Sequence, residues 1–355
     1  MDLPDGRADM RAETTVSRIA WRGEEVEFYH RRPGRGRPRR RRTMSEVDLW
    51  LMARLVLQGA GVAVTPQATW PRLCRSISML RRHRHLRKRL PPFRWITEAV
   101  LGPMEDAAAQ ALFDDWRMMC HAQTMAIMQD RIRPASVTLT LGGVDNLQTG
   151  DASDGEPRRG TILWANQFAF QSLWGKRALM QAGVLAHQVS ASTHGASPTR
   201  FGNAVLNPVV VAAENRYLAG RLVFAPSEAA QVTRRVLRIL SAGGTVIFTN
   251  TVLAGSSFAR LPFGAAARIS MPTTPVALAL KYGFALHAVT TLARAPLRGA
   301  EVRISPDLTR MATCEAGAGD RATADILLRA RDIMLEAAMA QPEQFMGWWE
   351  LEPQA

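Results

Sequence analysis

The sequence predicts an α/β fold: a mostly parallel sheet flanked by helices, preceded by a helical, basic, membrane-facing region. Three observations carry this reading. From residue 160 onward, short apolar runs bounded by glycine alternate with segments of helical period. The stretch Arg159-Gly160-Thr161-Ile162-Leu163-Trp164-Ala165-Asn166-Gln167 passes directly into a segment that reads as helix, which makes it a strand-to-helix junction. Open α/β sheets place their chemistry there, beyond the carboxyl ends of the strands. Before residue 130, by contrast, long apolar and basic helical segments dominate.

The chain has 355 residues, of which 47% are apolar and 21% charged, ordinary values for a folded protein with a large core. Its formal charge of +14 is not ordinary, and only Lys88, Lys176 and Lys281 are lysines, so arginine supplies nearly all of it. Such a charge favours acidic partners: anionic lipid, an acidic carrier protein or nucleic acid. Cys74, Cys120 and Cys314 are odd in number and widely spaced, which predicts reduced thiols and no zinc site. The first thirty residues hold no apolar h-region, so no secretory signal is predicted.

In chain order, residues 1–43 read as a disordered tail, because the run from His30 to Arg42 holds eight arginines among Pro and Gly. Met44 is a second candidate start. Residues 44–130 form the helical, membrane-associated region. Val47 to Val64 is the most apolar stretch, yet Asp48, Arg54 and Gln58 interrupt it, which predicts an interfacial or packed helix rather than a spanning one. Arg72 to Arg89 adds a cationic surface whose His83 and His85, spaced i,i+2, would not share a helix face and make a poor metal pair. Met104 to Gln129 reads as one helix, with His121 a structural residue on it. Residues 131–350 form the α/β unit. Strands are predicted at Ser136–Leu141, Thr161–Trp164, Val184–Val189, Leu222–Phe224, Thr245–Thr249 and Ala285–Leu292. Helices are predicted at Phe168–Ala182, Val210–Ala219, Ser227–Leu240, Pro275–Tyr282 and Arg321–Ala340, with loops at Asp145–Arg159, Ser190–Asn207 and Asn250–Ala265.

No phosphate-binding loop, dinucleotide fingerprint, nucleophile elbow or zinc-protease motif is present. The junction offers Asn166, Gln167, Gln171 and Ser172, which hydrogen-bond but do not titrate near neutral pH. The segment from Gly160 to Trp174 resembles the lipid A biosynthesis (lauroyl/myristoyl) acyltransferases, within the lysophospholipid acyltransferase superfamily. Further blocks agree in order: Arg84-His85-Leu86 with Pro91, Arg216-Tyr217-Leu218-Ala219-Gly220, Leu240 to Asn250, Leu261-Pro262-Phe263-Gly264, Pro272 to Ala295, and Pro342-Glu343-Gln344-Phe345.

The resemblance implies transfer of a fatty acyl group from an acyl carrier protein or acyl-CoA thioester to a hydroxyl of a lipid A-type or lysolipid acceptor. The setting it implies is peripheral, on the cytoplasmic face of an inner membrane, with no metal or organic cofactor. The family's His-x-x-x-x-Asp/Glu motif falls on Gln167 and Ser172, and a second family aspartate falls on Asn250. A neutral amide cannot act as a general base, and losing one costs about 10²–10⁴-fold in rate. Two readings follow. An active transferase would need a relocated base, for which His187 and His194 are the candidates, with Asn166, Arg200, Arg216, Asn250 and Arg260 as substrate-binding residues. A catalytically silent relative would keep the lipid or carrier groove as an accessory protein. Charge alone raises nucleic acid as a third partner, but the basic runs lack interleaved aromatics and no nucleic-acid module is recognisable, which disfavours it.

Overall fold

The computed structural model describes residues 13–31, 43–80, 82–134, 137–147, 160–191, 194–195, 197–224, 228–250, 255–312 and 319–353. The elements run β1 (Glu13–Trp21), β2 (Glu24–Arg31), α1 (Glu46–Val64), α2 (Trp70–Met79), α3 (Arg82–Leu101), α4 (Asp106–Ile132), β3 (Thr138–Gly142) and β4 (Thr161–Ala165). They continue with α5 (Lys176–Gln181), β5 (Ala186–Ala191), α6 (Asn207–Asn215), β6 (Gly220–Phe224), α7 (Ala229–Ser241), β7 (Thr245–Thr249), β8 (Ser257–Pro262) and β9 (Ala267–Pro272). Last come α8 (Thr274–Tyr282), β10 (Ala285–Ala295), β11 (Gly299–Ile304), α9 (Leu308–Met311), α10 (Gly319–Ala340) and β12 (Leu351–Pro353).

The expected α/β class is borne out by a seven-stranded sheet in the order β3-β11-β10-β4-β7-β5-β6, parallel except where β10 turns back on β11. Strand alternation divides its two faces. Ile162, Trp164, Val246, Leu286 and Ala288 pack against Val236, Val276, Leu327 and Met334 of α7, α8 and α10. Leu163, Ala165, Ile247 and Val289 pack against Ala178 and Leu179 of α5. The central strands are therefore buried on both faces, which is why they read as unbroken apolar runs.

A second sheet, fully antiparallel, has the order β1-β2-β8-β9-β12. It corrects two sequence expectations. Residues 13–31, expected to be disordered, form a hairpin closed by Arg22 and Gly23, both at positive φ. Two left-handed residues give the turn twist that suits a two-residue hairpin loop. Val26 and Tyr29 of β2 are buried, and Trp21 Nε1 donates to Asp325 of α10 at 2.9 Å. The rest of the expected tail, 1–12 and 32–42, lies outside the described residues. The second correction is that Asn250–Ala265, expected to be a loop, contains β8. Its strand character was hidden by Arg260 and Pro262; Arg260 pairs with Glu27 of β2, and Pro262 lies past the end of that pairing, where it faces only β9.

The helical layer is α1 to α4. Ser45 and Asp48 form a reciprocal cap that fixes the start of α1. This helix is turned inside out: Asp48, Arg54 and Gln58 face inward with Leu51, while Leu49, Met52, Val56, Leu57 and Val64 are exposed. It is long and apolar enough to cross a membrane, and a third of that stretch is buried in the protein.

Candidate functional site at the carboxyl edge of the sheet

Asn166 is the first residue beyond β4, and its N–H donates to the Val289 carbonyl at 2.8 Å, which holds it in register with β10. Its Nδ2 donates to Thr290 Oγ1 at 2.6 Å, and its Oδ1 accepts from Asn250 Nδ2. Asn250 follows β7 directly, donates its N–H to the Ala165 carbonyl at 3.1 Å, and also points its amide at Met334 Sδ. Thr291 Oγ1 donates to Gln171 Oε1 at 2.6 Å. All five of these polar side chains are buried. The edge therefore carries amides and hydroxyls that hydrogen-bond to one another and hold no proton that moves near neutral pH. Two buried atoms here lack a partner among the described residues: the acceptor Asn250 Oδ1 and the donor Trp164 Nε1.

The helix expected over Phe168–Ala182 begins late. Phe170 sits at φ +66°, residues Gln171–Gly175 make a wide π turn, and regular α-helix starts only at Lys176. The turn needs Gly175, because a Cβ there would come within 2.6 Å of Gln171 Nε2 and 2.8 Å of Thr291 Oγ1. Over the edge lies the segment after α10. Met346 donates its N–H to the Gln167 carbonyl at 2.9 Å, and Ala169 donates to the Gln344 carbonyl at 2.8 Å. The Gln344 side chain clamps the backbone of Ala293, accepting at 2.7 Å and donating at 3.0 Å. Phe345 packs between Phe168 and Phe263, with ring centroids 5.4 and 5.6 Å away. Gln167 and Ser172 stay half-buried, and Gln123 Nε2 of α4 approaches Ser172 Oγ at 3.5 Å. Four sequence blocks far apart in the chain thus meet at one edge.

No protein-family model and no curated protein matches this chain. The chemistry of the remaining candidates is therefore read from their surroundings alone. His194, just past β5, places Nε2 at 3.0 Å from Glu214 Oε2 of α6. The same carboxylate accepts from Lys176 Nζ at 2.7 Å and Arg221 Nη2 at 2.6 Å. Burial alone would raise the Glu214 carboxyl, but Lys176, His194 and Arg221 together pull it well below the usual range. His194 keeps a third of its side chain in solvent, while Glu214 and Lys176 are sealed.

His187 departs from expectation. Ala186 is level with Thr245, and Thr245 with Thr161, so His187 stands at the height of Ile162, at the amino edge. Four residues at ~3.3 Å each put it about 13 Å below Asn166 along the strands. Arg216 donates to the Asp130 carbonyl and carboxylate at 3.0 and 3.1 Å, which ties α6 to α4. Arg260 belongs to the second sheet, where Glu352 and Glu27 hold it at 3.2 and 3.4 Å over the Tyr29 ring. Both arginines are thus engaged in ion pairs within the chain. Arg200 is exposed.

Sequence reasoning missed Glu214, Thr290, Thr291 and Gln344. The β10 threonines lie inside an apolar run and read as strand filler; only the pairing of β10 with β4 turns them toward the amides. Glu214 lies 38 residues from Lys176, with no local signal linking the two.

Proposed function

We propose that this chain is an acyltransferase-like protein whose edge site is catalytically silent, acting as a lipid- or acyl-carrier-binding accessory protein. One observation carries the reading. At the junction where the resembled family keeps a base and an acid, Asn166, Gln171, Asn250, Thr290 and Thr291 pair with each other under the lid of Gln344 and Phe345. Without a general base there, acyl transfer loses about 10²–10⁴-fold. The meeting of the Gly160–Trp174, Leu240–Asn250, Leu261–Gly264 and Pro342–Phe345 blocks at this edge supports the resemblance, because only function or packing at a shared site relates segments so distant in sequence. The exposed apolar face of α1 and the arginines of α3 support peripheral attachment to an anionic membrane surface, the cytoplasmic face of an inner membrane in the family's setting.

A second reading has its own observation. His194 rests on a buried carboxylate, the arrangement that orients an imidazole for general-base work, so an active transferase with a base two strands from Asn166 is the competing proposal. One assay separates them: purified protein, labelled acyl-carrier thioester and a panel of lipid A-type and lysolipid acceptors. Carrier or lipid binding without transfer, and transfer appearing only in Gln167→His with Ser172→Asp, is the expected result. Transfer by the unmodified protein that disappears in His194→Ala would replace the silent reading with the active one.

A further inference from the structure

Between α1, α2 and α4 lies a cationic cluster that the edge site does not use. Arg54 of α1 is buried, and no carboxylate among the described residues pairs with it; the titratable groups close enough to act on its charge include the Cys74 and Cys120 thiols. Burial pushes those thiols up to about 12 and about 11, so neither supplies a negative charge. Arg54 Nε, Gln58 Oε1 and His121 Nδ1 are all buried without a hydrogen-bond partner among the described residues. Gln58 Nε2 meanwhile donates to the His121 carbonyl at 2.8 Å, which fixes the two helices face to face. Arg117, one turn from His121, is also buried, and its acid Asp114 is shared with Arg82. A buried cation without an anion is costly, and a buried polar atom without a partner adds to that cost. Three such atoms on the facing sides of α1 and α4 give this spot the polar groups of a binding site.

We propose that Arg54 and His121 bind the oxyanion head of a single-chain amphiphile, a fatty carboxylate or an alkyl phosphate, with a water bridging it to Gln58 Oε1, and that the tail lies along the methionine-rich wall of α4. Arg54 supplies the charge. Burial, then Arg54 and Arg117, hold the His121 ring down to about 2, so it stays neutral and can donate from Nδ1 without adding charge. Gln58 Oε1 accepts from that bridging water, whose other proton faces the head group. Met118, Met119, Met125 and Met128 share one apolar cluster with Val62 and Trp70, and methionine adapts to flexible chains. This inference does not rest on the acyl-transfer reading.

The test uses the full chain with palmitate and dodecyl phosphate below their micellar concentrations, hexadecanol below its solubility limit, and inorganic phosphate. Binding is measured by calorimetry and by the shift in Tm. Palmitate or dodecyl phosphate should bind saturably and raise Tm, with hexadecanol at least ~10-fold weaker because it cannot meet the guanidinium. The two charged arms decide between carboxylate and phosphate heads. In Arg54→Met the preference for charged over neutral heads should vanish. Hydrogen exchange on the unmodified protein should show ligand protection over residues 51–62 and 117–128, which locates the site even if that variant does not fold. Equal binding of hexadecanol, equal binding of inorganic phosphate, no binding by either charged amphiphile, or protection elsewhere would each overturn the proposal.

Discussion

Lys176, His194 and Arg221 all converge on one carboxylate at Glu214, and the charge balance there depends on that single acid. Glu214→Gln would leave two buried cations short of an anion, and the expected loss is about 3–5 kcal/mol in urea unfolding. The acid also predicts a pH effect. Its folded pKa lies below the ordinary 4.5, so below pH 4.5 the unfolded chain binds the extra proton and stability falls as pH falls. Glu214→Gln should flatten that acid limb. His121 acts over a higher window. Its folded pKa of about 2 against an ordinary 6.5 makes stability fall as pH drops below 6.5, by at most about 1.4 kcal/mol per pH unit for one proton. A urea series from pH 7 to pH 5 should show this slope, and His121→Gln should reduce it, leaving the part that comes from His287, whose pKa burial also lowers.

The β1–β2 hairpin is an element the second sheet depends on. β8 pairs with β2 on one side and β9 on the other, so removing residues 1–43 turns β8 into an open edge. It also exposes the partners of buried Val26 and Tyr29, worth about 1.5–3 kcal/mol per side chain. A chain starting at Met44 is therefore expected to have a lower Tm and to aggregate, as light scattering would report; an unchanged Tm would show that the hairpin is an ornament. The π turn makes a different demand. Phe170 stacks on Trp174 with centroids 4.0 Å apart while holding a left-handed backbone. Phe170→Ala loses the stack and keeps the strain; Phe170→Gly loses the stack and relieves it. Glycine should be the milder substitution by about 1 kcal/mol in equilibrium unfolding.

Across the whole molecule, a formal charge of +14 is combined with an outward apolar helix face. Each basic residue near an anionic surface adds about 1 kcal/mol, and salt screens that part while leaving apolar insertion intact. Co-sedimentation with phosphatidylglycerol vesicles should weaken with added salt, and Val56→Asp with Leu57→Asp should weaken it further at every salt concentration. Binding insensitive to both changes would remove the membrane from the proposed function. Neither substitution touches the buried face of α1, so the fold should survive the test.

Local patterns in the sequence determined the α/β class, the strands at Thr161–Ala165 and Thr245–Thr249, the helices at Glu46–Val64, Thr274–Tyr282 and Gly319–Ala340, and the amide character of the junction. These are short-range properties: periodicity, caps and bounding glycines specify them within one segment. Tertiary structure decided what those properties mean. The hairpin at residues 13–31 was masked by its charged neighbours and is stabilised by pairing with β8, over two hundred residues away. The height of His187, the burial of Arg54 and the carboxylate beneath His194 follow from strand register and helix packing, to which no local pattern is sensitive. Non-local contacts set the environment of a side chain, and environment rather than identity decides whether a polar group is a ligand, a base or a strut.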